Sequence, residues 1–310
     1  MKHAKQLLID TTEEPIKREE PIQEKTKEKK NHPKLKIFFI IMTIIIVALV
    51  CYSRFIEPNI ITVKEYKITS NKIPDSFHGL KIVQFSDIHY GTTIDIDKLN
   101  KIVDDINKLK PDIIFFTGDL FDKNIIISTE DQTNITNSLS RLNCTLYKYA
   151  IYGDEDLDFP VYEEIMHSSN FKLLNNENTL LYYEDNIPID IIGFNSLSTN
   201  PNYTIITNYV DDYDTTNVYK IVLTHETNSI DNFINYNPDL VLAGDTLGGL
   251  VNIPFLKPLF INANSNKYYK NYYRINNTDL YISNGLGTST IHSRFNNYPS
   301  ISLYRLYKTN

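Results

Sequence analysis

The sequence predicts an α/β domain behind one membrane-spanning helix. Residues 37–52 form a run of sixteen without a charge. Beyond it apolar runs alternate with amphipathic stretches, and ionisable residues recur directly after the apolar runs. The first feature marks an anchor, the second is the pattern of strands alternating with helices, and the third points to function.

Of 310 residues, 42% are hydrophobic, which suffices for a sizeable core. The net charge of -7 is uneven: residues 1–36 carry ten Lys or Arg against seven Asp or Glu, and the remainder carries 21 against 31. An acidic body lacks the clustered Lys/Arg surface that a polyanion needs, so nucleic acid is not an expected partner. The two cysteines, Cys51 inside the apolar run and Cys144 near the end of a predicted helix, indicate no disulfide framework.

The anchor lies between Lys34 and Lys36 on one side and Arg54 on the other. About 20 residues cross a hydrocarbon core of about 30 Å, and snorkelling flanks with Leu35 extend this slightly short run. It is apolar all round, unlike a soluble helix with a polar face. No small-residue cleavage site follows it, so an uncleaved signal anchor is expected rather than a signal peptide. Six Lys against Glu28 alone between Lys25 and Lys36 place the tail in the cytoplasm and the body outside. The tail, with Glu/Lys blocks and scattered Pro, has too little apolar surface to fold by itself.

In the body, 80–85 reads as a strand. Asp97 is expected to cap a helix whose Leu99, Ile102, Val103, Ile106 and Leu109 share one face before Pro111 ends it. Further strands are expected at 113–116, 146–152, 187–192, 221–223, 240–243 and 280–282. After these runs come Asp87 and His89, then Asp119, Asp154, His225 and Asp245. Carboxyl ends of strands in open α/β sheets converge on one crevice, so these residues are expected to meet there. Any one of them could simply begin a turn. Six in register point to a site for a divalent metal, for which Asp and His together are the ligand set.

Phe85-Ser86-Asp87-Ile88-His89 and Thr117-Gly118-Asp119-Leu120-Phe121-Asp122 resemble the Asp-x-His and Gly-Asp-x-x-Asp motifs of calcineurin-like metallophosphoesterases. Leu223-Thr224-His225 resembles the isolated metal-binding histidine of that family, and Gly248-Gly249 with Pro254 resembles the end of its Gly-His-x-His-Gly-Gly segment. Residues 283–289 resemble the closing loop of its membrane-anchored bacterial phosphodiesterase branch.

The resemblance implies a four-layer α/β/β/α sandwich of two mixed sheets. It also implies two metal ions, bridged by an aspartate and a hydroxide that attacks phosphorus. Asp87 and His89 would bind the first metal, Asp119 would bridge, and Asp154, His225 and Asp245 would complete the second. The implied organisation is a tail over 1–36, an anchor over 37–53, a linker with a first strand over 54–75 and a metallophosphoesterase-like domain over 76–310.

Three family histidines are missing. The chain has Gly153-Asp154-Glu155-Asp156 for Gly-Asn-His-Asp, and Gly244-Asp245-Thr246-Leu247 for Gly-His-x-His. Leu247 cannot coordinate a metal. Glu155 stands where the family's leaving-group-protonating histidine would be, and a carboxylic acid donates a proton only if its pKa is raised toward neutrality. His292 is a further imidazole near the closing loop, whereas His78 and His167 are expected to be structural. One or two divalent ions are expected, and the oxygen-rich ligands favour Mn²⁺ or Mg²⁺ over Zn²⁺ or Fe. Two functions follow: a phosphoesterase with weakened or altered catalysis on a phosphodiester or phosphomonoester, lipid-linked by its location, or an inactive pseudoenzyme serving as a membrane-anchored scaffold. Oligomeric state is not legible in the sequence.

Overall fold

Two sheets face each other across an apolar interior, and alternation along each strand explains why. In β2 (Lys81–Phe85), Ile82 points into the interior between the sheets and Val83 points the other way. In β3 (Ile113–Phe116), Ile113 and Phe115 point inward, and Ile114 and Phe116 point toward the helices. In β9 (Leu240–Ala243), Leu240 and Leu242 meet the first sheet, and Val241 and Ala243 face the opposite side. Successive side chains of a strand leave on opposite faces, so a strand covered on both faces is mostly apolar, and its buried polar exception, Gln84 of β2, is hydrogen-bonded to Thr117, Ala243 and Tyr304.

The computed structural model describes residues 33–197 and 217–310. The chain divides into Met1–Ile45 and Ile46–Asn310. Helix α1 (Pro33–Cys51) has no buried residue and is long and apolar enough to cross a membrane. A widened helical turn, Tyr52–Ile56, and a tight one, Glu57–Asn59, follow it.

The first sheet adds β1 (Thr62–Ser70), β4 (Tyr147–Ala150), β5 (Phe171–Leu173) and β12 (Ser300–Lys308) in the order β1-β12-β2-β3-β4-β5. Only β12 and β2 pair antiparallel. The second contains β6 (Glu177–Leu181), β7 (Ile189–Gly193), β8 (Tyr219–Leu223), β10 (Tyr272–Ile275) and β11 (Thr278–Ile282), in the order β10-β11-β9-β8-β7-β6. Its outer pairs are antiparallel and its inner strands parallel.

Helices α2 (Ile96–Lys108), α3 (Thr129–Ser140) and α4 (Val161–Ser168) cover the first sheet, and α5 (Ile230–Phe233) packs on the second. The result is the four-layer sandwich of two mixed sheets. One detail differs from expectation. The cap of α2 is Asp95, whose extended backbone lets its side chain accept from Lys98 N, while Asp97 sits inside the first turn. Cys144 lies in the loop after α3, and both cysteines are free.

Candidate metal centre

Every parallel strand that carries a predicted ligand releases it at the same end of its sheet, and the backbone there turns sharply. Asp87, His89, Asp119, Asp245 and Leu247 all have φ between 46° and 63°. Asp and His enter this left-handed region more readily than Leu, and such conformations gather at functional sites. Hydrogen bonds between loops hold the turns together: Asp87 N donates to Gly118 O (2.9 Å), Ile88 N to Asp119 O (2.7 Å) and Asp245 N to Asp87 Oδ1 (2.9 Å). The approach is so close that a Cβ on Gly153 would lie 2.0 Å from Asp119 Oδ1. No residue but glycine fits there.

Three groups of side chains bring their ligand atoms within 4.8 Å of one another: Asp87, Asp119 and His225; His89, Asp119 and Glu155; and Asp154, His225 and Asp245. Asp119 Oδ2 is 3.2 Å from His225 Nε2 and 3.7 Å from His89 Nε2, and Asp154 Oδ1 is 3.4 Å from His225 Nε2. All except Asp154 are buried. His225 Nδ1 donates to Thr117 O (2.7 Å), which turns Nε2 toward the acids. Among the described residues, Asp87 Oδ2 is buried without a hydrogen-bond partner, and His225 Nε2 meets only the carboxylates of Asp119 and Asp154. A buried carboxylate oxygen is seldom left so, and a cation would satisfy it.

The electrostatics agree. Burial pushes Asp119 up to about 8, against the pull of His225 and His89. Burial opposes the charged form of His89, but the Glu155 hydrogen bond and the neighbouring carboxylates outweigh it and raise it to about 9. His225 rises well above its ordinary value, because Asp119, Asp154 and Asp87 overcome its burial. Burial raises Asp245 to about 6, although its oxygens accept from Ser265 and Asn262.

These shifts set a pH dependence. Groups whose folded pKa is raised stabilise the fold at low pH and lose that contribution as pH climbs through the folded value. The metal-free fold should therefore lose stability from about pH 4 to about pH 9. Asp154 and Glu155 are shifted downward, and their contribution is lost only in acid. A divalent ion displaces the shared protons, so its affinity grows with pH. Saturating Mn²⁺ should raise the melting temperature by about 5–10 °C at a hundredfold excess over Kd. At one fixed Mn²⁺ concentration the rise should be larger at about pH 8.5 than at about pH 5.5. Calorimetry showing equal shifts at both would contradict a site built from these residues.

The family model described as calcineurin-like phosphoesterase matches residues 80–283. The chain belongs to the calcineurin-like phosphoesterase family. It is 31% identical over 263 residues to the uncharacterized metallophosphoesterase YkuE of Bacillus subtilis, covering 84% of this chain and 90% of that one. It is 28% identical over 238 residues to the transmembrane protein with metallophosphoesterase domain of Danio rerio, covering 73% and 52%. It is 24% identical over 266 residues to the UDP-2,3-diacylglucosamine pyrophosphatase LpxG of Chlamydia muridarum, covering 70% and 77%. The family uses divalent metals, and the Asp/His groups here fit them. The apolar α1 and the Danio rerio relative support membrane association.

For a calcineurin-like phosphoesterase, the second histidine-poor loop is unusual. Leu247 is buried, its side chain lies over Gly285 beside Asp87, and its carbonyl accepts from Asn297 Nδ2 at 2.7 Å. Glu155 accepts from His89 Nδ1 (3.1 Å), Lys123 N (3.1 Å) and Ser289 Oγ (3.2 Å). Despite the burial that opposes ionisation, the His89 hydrogen bond and charge hold Glu155 below its ordinary pKa, so it has no proton to donate at neutral pH. His292 belongs to none of the three groups, and its Nδ1 lies 3.4 Å from Thr288 Oγ1. His78 accepts from Lys308 N at 3.3 Å, and His167 lies on the surface near Glu163.

Two residues support the site without being predicted ligands. Asp156 is buried and accepts from the amides of Asp119 (2.8 Å), Leu120 (2.8 Å) and Gly153 (2.9 Å), which orients the Asp119 turn. Arg294 is fully buried and donates to the carbonyls of Leu247, Asn284, Gly287 and Asn297, tying the Leu247 loop to the closing loop. The closing loop is in turn fastened to Asp87 through Gly287 N and Asp87 O (2.7 Å).

Proposed function

We propose that this protein is a membrane-anchored, metal-dependent phosphoesterase that hydrolyses a phosphate ester at the outer face of the cell membrane. The observation that carries the reading is the convergence of Asp87, Asp119 and His225, whose ligand atoms lie within 4.8 Å of one another, with Asp87 Oδ2 buried and given no hydrogen bond by the described residues. The ligand sets proposed from the sequence, Asp87, His89 and Asp119 for one ion and Asp119, Asp154, His225 and Asp245 for the other, draw on three convergent groups: Asp87, Asp119 and His225; His89, Asp119 and Glu155; and Asp154, His225 and Asp245. So many oxygens favour Mn²⁺ or Mg²⁺. Ions bound there supply an acidified water and offset the charge gathering on the phosphate oxygens.

The chain's own residues set the limits of the reaction. Ionised Glu155 keeps His89 oriented but cannot protonate the departing oxygen, so solvent must do so, at a cost on the order of 10²–10⁴ in rate. A cavity of about 240 Å³ lined by His89, Glu155, Asp245 and Phe260 admits the ester. A lipid-linked substrate is supported by the membrane helix and by the Chlamydia muridarum relative, whose name gives it a diacylglucosamine derivative as substrate. The lysines before α1 support a cytoplasmic tail and an outward-facing body.

A second reading, a catalytically silent binding protein, rests on Leu247 and Glu155. One experiment separates the two: the full chain in detergent, assayed for bound metal and for hydrolysis of a bis-aryl phosphate with and without Mn²⁺. The expected result is at least one ion per chain and a Mn²⁺-dependent rate that a chelator removes. A metal-free chain with no rate above the protein-free control would leave only the silent reading.

A further inference from the structure

The loop 253–260 exposes Ile253, Phe255, Leu256, Leu259 and Phe260 together on one short segment. Contiguous exposed apolar surface of this kind marks a contact site. The loop is held in shape. Phe255 sits at φ 70°, Leu256 N donates to Ile253 O (3.1 Å), and Pro258 lies against Gly249 so tightly that a Cβ there would be 2.2 Å away.

What covers this surface follows from its neighbours. The backbone that leaves α1 pairs with the segment beside the loop: Arg294 N donates to Ser53 O (2.9 Å), and the Tyr52 and Tyr298 hydroxyls meet at 3.1 Å. That segment pairs with the start of the loop, through Asn252 N to Phe295 O (2.9 Å) and Phe295 N to Leu250 O (3.0 Å). The apolar loop is thus one backbone pairing away from the residues that follow the membrane helix, where Phe55 and Ile56 are also exposed. Tyrosines at such a junction suit the headgroup level of a bilayer.

Between these elements lies a cavity of about 360 Å³, lined by Lys64, Asn252, Pro258, Lys270 and Tyr298. It is separate from the metal centre. Among the described residues, neither lysine amine has a hydrogen bond or ion pair. Burial and the charge of Arg294 hold Lys64 down to about 8, an arrangement that a phosphate anion would relieve.

We propose that loop 253–260 is a second membrane contact, with its apolar side chains in the acyl region of an anionic phospholipid surface and a lipid headgroup in the Lys64/Lys270 cavity. Leu259 and Phe260 also line the cavity beside His89 and Glu155. Docking therefore brings the mouth of the metal centre to the lipid surface, where an ester can be reached with its acyl chains still in the membrane. This last step rests on the proposed phosphoesterase reading; the docking itself does not.

The chain has no Trp, so a single introduced indole reports on its own position. Full-length Phe255→Trp would be reconstituted in phosphatidylglycerol/phosphatidylcholine vesicles, with or without bromine near the ester end of the acyl chains. The reference is Tyr147→Trp, at the start of β4 and 55% exposed at the opposite strand end. An interfacial segment sits roughly 5–10 Å into the headgroup boundary, so bromine should quench Phe255→Trp at least about twofold and leave Tyr147→Trp unchanged. Leu256→Trp should behave like Phe255→Trp, which guards against a local misfold at one position. Equal emission with and without bromine at both loop positions would put the loop in water or against a protein partner and overturn the proposal. No substrate enters the measurement, so an inactive enzyme would leave the result intact, and an unquenched loop would leave hydrolysis of soluble esters intact.

Discussion

Asp119→Asn should lower Mn²⁺-dependent hydrolysis by roughly 10²–10³-fold or more, the scale of losing one preorganised charge in a water-excluded site. Asp119 is shared by two of the three ligand groups and stands within 3.7 Å of both His225 and His89. Asn keeps the shape and can still accept from Glu155 N through its carbonyl oxygen, a bond of 3.1 Å to Oδ1 in the native chain. It removes the charge, however, and turns an amide donor toward imidazole nitrogens.

The same substitution should not weaken the metal-free fold. Burial has pushed Asp119 up to about 8, so ionising it at higher pH costs stability that Asn does not lose. At about pH 8.5 the metal-free variant should melt at or above the native chain, and the Mn²⁺-induced rise should disappear. A variant that melts much lower without metal would mean that Asp119 serves the fold, and a retained rate would remove it from the chemistry.

Why some of this was legible in sequence and some not has a physical basis. Strands buried on both faces leave runs such as 113–116 and 240–243, and β3 and β9 fall on those residues. Strand β5 has only three residues, and β6 and β10 carry polar residues along half-exposed sheet edges, so neither length nor period separates them from loops. At the start of α2 two aspartates, Asp95 and Asp97, compete for the cap, and only the backbone geometry decides for Asp95. The convergence of Asp87, Asp119 and His225 could be foreseen because strand ends meet by topology. Asp156 closes the segment that stands for Gly-Asn-His-Asp, but its role and that of Arg294 could not be foreseen, because they act on backbone amides and carbonyls, which carry no side-chain signature. Glu155 was visible as a residue, but its ionised state depends on His89 and the Lys123 amide, which only the fold brings to it.

The departure at Leu247 leads to the second large effect. The backbone there already has the turn, φ 48°, with its carbonyl held by Arg294 and Asn297. The side chain lies over Gly285, where a Cβ would be 2.6 Å from Leu247 Cδ2 and 2.8 Å from Asp87 Cβ. Imidazole and isobutyl are of similar bulk, so Leu247→His would set a ring nitrogen beside Asp87, whose Oδ2 has no partner among the described residues. Outer partners of a metal are worth about 10–100-fold in affinity, and a direct ligand should give at least that. Leu247→His should therefore raise bound Mn²⁺ toward two ions per chain and increase the rate on a bis-aryl phosphate by about tenfold or more. The added ring exchanges apolar contacts for a polar group, so the metal-free fold should be slightly weaker and the gain in melting temperature with Mn²⁺ larger. Unchanged metal content in a folded Leu247→His chain would mean that no ion sits between Asp87 and His89, and the centre would then reduce to the one around His225.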